Sequence, residues 1–154
     1  MTSRSTWQAS LIGVDTPFLI AHTVLEHPDH ERATACCLRL LDEGHQLALC
    51  PTVIDEFLHV VTDSKRFASP LSMERAVQRA RVWIHSDETF YFGPTEESQR
   101  RQLEWLVEHR LGRKRISDTR IASIYFTEGI TRLLTANVRD YSVFGVFEIV
   151  EMDA

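Results

Sequence analysis

Apolar and polar positions alternate along the chain in two rhythms. Leu11 to Asp15, L-I-G-V-D, is a continuous apolar run ending on an acid; it is too short for a helix and reads as a buried strand. Thr16 and Pro17 follow as a helix start, with Phe18 to Thr23 supplying one or two turns. Pro28 to Leu41 is amphipathic, with Ala33, Cys37, Leu40 and Leu41 on the apolar side and Gly44 as the stop. Gln46 to Cys50 is a second strand, and Pro51 and Thr52 open the helix V-I-D-E-F-L-H-V-V. Ser64 to Pro70 is a basic, turn-rich connection that reads as a solvated loop rather than a substrate contact. Met73 to Ile84 is helical, with Ala76, Val77 and Ala80 inward and Arg75, Arg79 and Arg81 outward. Glu88 to Phe92 is a strand or an extended lead-in stopped by Gly93 and Pro94. Thr95 begins a helix with Leu103, Leu106, Val107 and Leu111 as its apolar side and Gly112 as its end. Trp83 and Trp105 fall within these helical patterns and read as core. Thr131 to Thr135 and Phe147 to Val150 are the last strands, with a polar turn at Asn137, Arg139 and Asp140 between them. Strands alternating with helices predict one α/β domain over 1–154, a mainly parallel sheet flanked by helices, preceded by a polar lead-in at 1–10.

Composition narrows the class. At 154 residues, with 44% hydrophobic and 25% charged, the chain suits one globular domain. No apolar run reaches membrane-spanning length and the first ten residues lack an apolar leader, so a cytoplasmic protein is expected. Cys36, Cys37 and Cys50 read as reduced, buried thiols, and their spacing with His27 and His30 matches no common zinc pattern. A net charge of −5 argues against a protein that coats nucleic acid by bulk electrostatics, though not against a local basic patch.

The chemistry gathers around K-R-I-S-D-T-R-I-A-S-I-Y-F, Lys114 to Phe126. This is a helix start with Ser117 and Asp118 competing for the N-cap. Asp118 lies on the same helical face as Ile121, Ala122 and Tyr125, so it points inward and needs a partner, a proton or a metal. Capping remains the plain alternative. Asp15 ends a strand, Asn137 and Asp140 follow another, and Asp55 and Glu56 lie on a helix after a third. The helical wheel places Glu56 about 40° and Asp55 about 60° outside opposite ends of the apolar arc, which leaves both open. Carboxyl ends of parallel strands share one edge, where these acids can converge. Crowded carboxylates raise one another's pKa unless a cation intervenes, and an oxygen-only donor set suits Mg²⁺ or Mn²⁺. Such ions polarise a phosphoryl oxygen and activate water.

V-D-T-P-F-L-I at Val14 to Ile20, P-T-V-I-D-E-F at Pro51 to Phe57, I-S-D-T-R-I-A at Ile116 to Ala122 and L-T-A-N-V-R-D-Y at Leu134 to Tyr141 together resemble a PIN-domain ribonuclease. The likeness is to the VapC-like toxins of bacterial toxin–antitoxin pairs, and it runs from Leu11 to Val150. It implies a three-layer PIN-like sandwich and Asp15, Glu56 and Asp118 as acidic ligands of Mg²⁺ or Mn²⁺, choosing Glu56 over Asp55. The family's fourth position falls on Asn137, with Asp140 close behind, and Thr135 matches a hydroxyl near the site. The implied activity is metal-dependent RNA hydrolysis leaving a 5′-phosphate and a 3′-hydroxyl, with a cognate antitoxin and a homodimer as partners. Arg113, Lys114, Arg115 and Arg120 are the candidates for the RNA backbone. Pro17 stands where family members often carry Asn, and Asn137 brings no charge to a second metal site. Two other readings remain: a catalytically weak or inactive binding domain with the same fold, and a phosphatase using Asp15 as nucleophile. The phosphatase reading lacks the second Asp expected where Pro17 stands.

Overall fold

The computed structural model describes residues 10–153. The lead-in expected at 1–10 lies, apart from Ser10, outside the described residues. In chain order the elements are β1 (Leu11–Val14), α1 (Thr16–Thr23), α2 (His30–Asp42), β2 (Gln46–Leu49), α3 (Pro51–Val61), α4 (Met73–His85), β3 (Thr89–Tyr91), α5 (Glu96–Glu108), α6 (Ile116–Thr127), β4 (Arg132–Leu134), α7 (Val138–Ser142) and β5 (Glu148–Val150). A 3₁₀ turn at Arg113–Arg115 leads into α6. The five strands are all parallel in the order β3-β2-β1-β4-β5. β1 is therefore central, and the strand order reverses between β1 and β4, where parallel sheets open a crevice at their carboxyl ends.

The burial of β1 explains why its sequence is apolar without alternation: Leu11, Ile12 and Val14 are all within 1% of full burial. Gly13 beside them is required by packing. A Cβ there would meet the Tyr125 ring at 2.7 Å. Tyr125 is fully buried, and its hydroxyl lies 2.7 Å from the Val14 carbonyl and 3.0 Å from that of Ala48. α6 is thereby pinned beneath β1 and β2. On the other side of the core α1 packs against α2 and α3, and α3 against α4. Cys36, Cys37 and Cys50 are free and buried, and burial pushes the thiols of Cys37 and Cys50 up to about 11, so they behave as small apolar groups.

The expected strands and longer helices are present, and the turn expected at Asn137 to Asp140 is instead the start of the short helix α7; three further points differ. The inward side of α5 is not the leucine–valine stripe: Leu103 is 56% and Val107 80% exposed. Ser98, Gln102 and Trp105 face inward instead. Trp105 stacks on Phe144 with ring centroids 4.7 Å apart, and each buried polar group has a local partner. Ser98 closes a capping box with Thr95, and Gln102 donates to the Ile116 carbonyl at 3.1 Å. The end of α5 is made not by Gly112 but by Arg110, which adopts a left-handed φ of 53°. Finally, neither Ser117 nor Asp118 is the N-cap of α6. Arg115 occupies that place, and the other two lie inside the first turn.

Candidate active site

β1 delivers Asp15 to the carboxyl edge of the sheet. Its backbone N–H bonds the Leu134 carbonyl at 3.2 Å, which ties the end of β1 to the end of β4. Asp15 caps α1, with its carboxylate accepting from the Thr16 N–H at 2.7 Å. Thr135 donates to the other carboxylate oxygen at 2.8 Å, and the Tyr141 hydroxyl donates to the first at 3.0 Å. Asp15 is only 2% exposed. Burial pushes its pKa up, and these three donors together pull against that shift.

Glu56 reaches the same place from α3, half-buried, while Asp55 is exposed at the wall of the same cavity. The Thr16 hydroxyl donates to Glu56 Oε2 at 2.6 Å, and the Ser117 hydroxyl donates to Oε1. One carboxylate thus ties the starts of α1 and α6 together. Asp118, on the first turn of α6, completes the group. Its side chain is 24% exposed, and its pKa is raised to about 6, first by burial and then by the charges of Asp15 and Asp140. Asp15, Glu56, Asp118 and Asn137 line one cavity of about 400 Å³. Asp140 is not among the residues lining it and lies 3.7 Å from Arg115.

The basic run divides. Arg113 and Lys114 are exposed on the 3₁₀ turn, Arg120 is exposed on α6, and none of the three lines the acidic cavity. Arg115 turns inward and is half-buried, unlike its neighbours. Its Nε lies 3.3 Å from Asp118, and its guanidinium donates to the Asp140 carbonyl. Thr135 is 2% exposed and gives its hydroxyl to Asp15. It also accepts the Asn137 N–H at 2.9 Å, which fixes the turn carrying Asn137. Among the described residues, Asp118 has a cationic partner, while Asp15 and Glu56 are held by neutral hydroxyl and amide donors.

Sequence reasoning missed Tyr141, the hydroxyls of Thr16 and Ser117, and Arg66, which also lines the cavity. Tyr141 belongs to the quoted L-T-A-N-V-R-D-Y stretch, and only the fold shows that its hydroxyl faces Asp15. As they stand, no three His, Cys, Asp or Glu among the described residues form a metal-binding group. The donor chemistry still suits a hard cation. Asp15, Glu56 and Asp118 share a cavity, the charges of Asp15 and Glu56 add to the rise at Asp118, and Mg²⁺ commonly keeps several waters while touching one or two carboxylates.

No protein-family model and no curated protein matches the chain. Solved structures do. The sarcin–ricin-loop-cleaving toxin VapC20 of Mycobacterium tuberculosis is similar at a TM-score of 0.60 and 21% identity, over 79% of this chain and 86% of that one. VapBC2 of Rickettsia felis, bound to a promoter DNA fragment, is similar at 0.64 and 16% identity, over 92% and 98%. VapBC-1 of nontypeable Haemophilus influenzae is similar at 0.65 and 14% identity, over 94% and 99%. At such identities the likeness is one of fold, and the chain has the PIN-like α/β sandwich of these VapC-type structures.

Proposed function

We propose that the protein is a divalent-metal-dependent endoribonuclease, a hydrolase acting as the toxin of a toxin–antitoxin pair. The observation that carries this reading is the gathering of Asp15, Glu56 and Asp118 in one cavity at the β1/β4 crevice, two of them without a cationic partner among the described residues. Buried like charges in that state call for a cation. Asp15, Glu56 and Asp118 would hold Mg²⁺ or Mn²⁺, directly or through water, with Asn137 and Asp140 at the rim. A cation there would polarise a phosphoryl oxygen and lower the pKa of water. The protein's own groups set the geometry: Thr135, Tyr141 and the Thr16 N–H fix both oxygens of Asp15, and Thr16 and Ser117 fix Glu56. The resemblance of the motifs and the likeness of fold to VapC-type toxins support RNA as the substrate and a small antitoxin as the partner. That partner would inhibit most simply by covering the acidic edge and inserting a cation. A homodimer would align two such edges.

The phosphatase reading fares worse, because Asp15 is buried and both its oxygens are engaged, a poor presentation for a nucleophile. The test is cleavage of total RNA with Mg²⁺ or Mn²⁺ by the wild type and by Asp118→Asn. Metal-stimulated cleavage by the wild type alone is the expected result. Equal activity in both ends the proposal, and no activity with no Mn²⁺ binding at millimolar concentration leaves a binding domain.

A further inference from the structure

The acidic cavity does not end at its carboxylates. Its lining shares Pro17, Ile20, Val60 and Arg66 with a neighbouring cavity, and each has a volume of about 400 Å³. His27, Pro28 and Phe67 complete the second cavity, which no carboxylate lines. The two make one groove, acidic at one end and apolar at the other, with a guanidinium where they meet.

Arg66 stands where the two halves meet. Its partner is Asp63 at 3.4 Å, and its side chain is 60% exposed. Exposed pairs of this kind contribute roughly 0–1 kcal/mol, so the guanidinium can exchange Asp63 for a phosphate at little cost. The loop that carries it is built rather than slack. The Asp63 side chain accepts from the Lys65 N–H at 2.8 Å, and its carbonyl accepts from the Arg66 and Phe67 N–H groups at 3.1 and 3.2 Å. Phe67 packs on the core. His27 accepts the Asp29 N–H at Nδ1, which leaves its Nε2–H as a donor.

A polyanion lying over Asp15, Glu56 and Asp118 is repelled there and needs a cation further along. An apolar floor of Pro17, Ile20 and Val60 beside an aromatic edge suits a base, since every base presents a π-face. The groove runs between α1, α3 and two loops, so a peptide would find no strand edge to extend. We infer that this groove seats the single-stranded RNA flanking the scissile phosphate, with Arg66 holding the neighbouring backbone phosphate; the inference rests on the nuclease reading above.

The test is fluorescence anisotropy of a labelled single-stranded oligoribonucleotide binding to full-length Asp118→Asn protein, alone and combined with Arg66→Glu or Arg66→Lys, across a salt series. Arg66→Glu should weaken binding about tenfold at low salt and reduce the salt slope by about one, while Arg66→Lys keeps most of the affinity. In otherwise wild-type protein with Mn²⁺, Arg66→Glu should raise KM more than it lowers kcat. If the wild type cleaves RNA while Arg66→Glu leaves affinity, salt slope and KM unchanged, the groove has another occupant, such as a peptide. The inference then falls and the nuclease reading stands. If the wild type neither cleaves nor binds RNA, both fall together.

Discussion

Removing the Asp118 charge should make the metal-free protein more stable, and only at high pH. The carboxyl is shifted from its ordinary 3.8 to about 6, by burial first and then by Asp15 and Asp140, with Arg115 opposing. The difference of about two units, at about 1.4 kcal/mol each, corresponds to roughly 3 kcal/mol. The folded pKa is the higher one, so between these values the folded state binds more protons than the unfolded chain. The contribution is fully favourable below pH 3.8, is lost as pH rises through about 6, and stays lost above it. Asp118→Asn removes the titration, and at 24% exposure the group is shielded enough for most of the effect to survive screening. For a domain of this size, roughly 3 kcal/mol corresponds to a melting temperature about 6–12 °C higher. The assay is thermal unfolding by circular dichroism in chelator at pH 4 and pH 8. The variant should melt above the wild type at pH 8 and together with it at pH 4. Adding Mn²⁺ at pH 8 should then raise the wild type by about 2.7 kcal/mol at a hundredfold excess over Kd, and the variant by less at the same concentration. A variant less stable than the wild type at pH 8, or an equal gap at both pH values, would refute the argument that Asp118 is held against its own charge.

Other expectations follow from the same contacts. Glu56→Gln should lose metal-stimulated RNA cleavage by at least about 100-fold and Asp55→Asn much less, since both line the cavity but only Glu56 is held there by the Thr16 and Ser117 hydroxyls while Asp55 is exposed; equal losses in a cleavage assay would show that the roles of the two acids on α3 are misassigned. Tyr141→Phe removes a buried donor from Asp15 and should weaken Mn²⁺ binding by about 10–100-fold in a calorimetric titration, with the fold kept by circular dichroism. Gly13→Ala places a methyl 2.7 Å from the Tyr125 ring and should cost about 1–3 kcal/mol in urea unfolding; an unchanged midpoint would mean that the ring yields freely.

The sheet was legible because burial on both faces leaves a simple mark. Leu11 to Val14 and Gln46 to Leu49 are short apolar runs followed by Pro17 and Pro51, and both became parallel strands feeding helices. Asp15 was legible for the same reason, since a strand end fixes where its next residue lies; Glu56 and Asp118 sit on helices, and only the family resemblance chose Glu56 over Asp55. α5 was misread because its buried face is partly polar. Gln102 and Ser98 are satisfied by the Ile116 carbonyl and the capping box, so polarity gave no sign of exposure. Charge pattern likewise could not separate Arg115 from Arg113 and Lys114. One 3₁₀ turn rotates the first inward and leaves the others in solvent. Arg66 was passed over because a basic loop carries no signal for the cavity it borders.

The three core acids are kept at one edge by unlike means, and this bears on how the site would take a cation. Asp15 is clamped by one amide and two hydroxyls that are themselves buried, so its orientation is fixed before anything binds. Glu56 receives hydroxyls from two different helices, and each hydroxyl can turn to a water at little cost. Asp118 alone trades with a guanidinium, and Arg115 binds Asp140 as well, so a cation arriving at Asp118 competes with a charge already there. Asp15 and Glu56 would therefore form the standing part of the site, and the position of Arg115 would decide whether Asp118 joins them. A partner that drew Arg115 away, or supplied a second guanidinium beside it, would change cation affinity without touching Asp15. The regulation of such a site is thus to be sought at the start of α6, where the chain places its basic run.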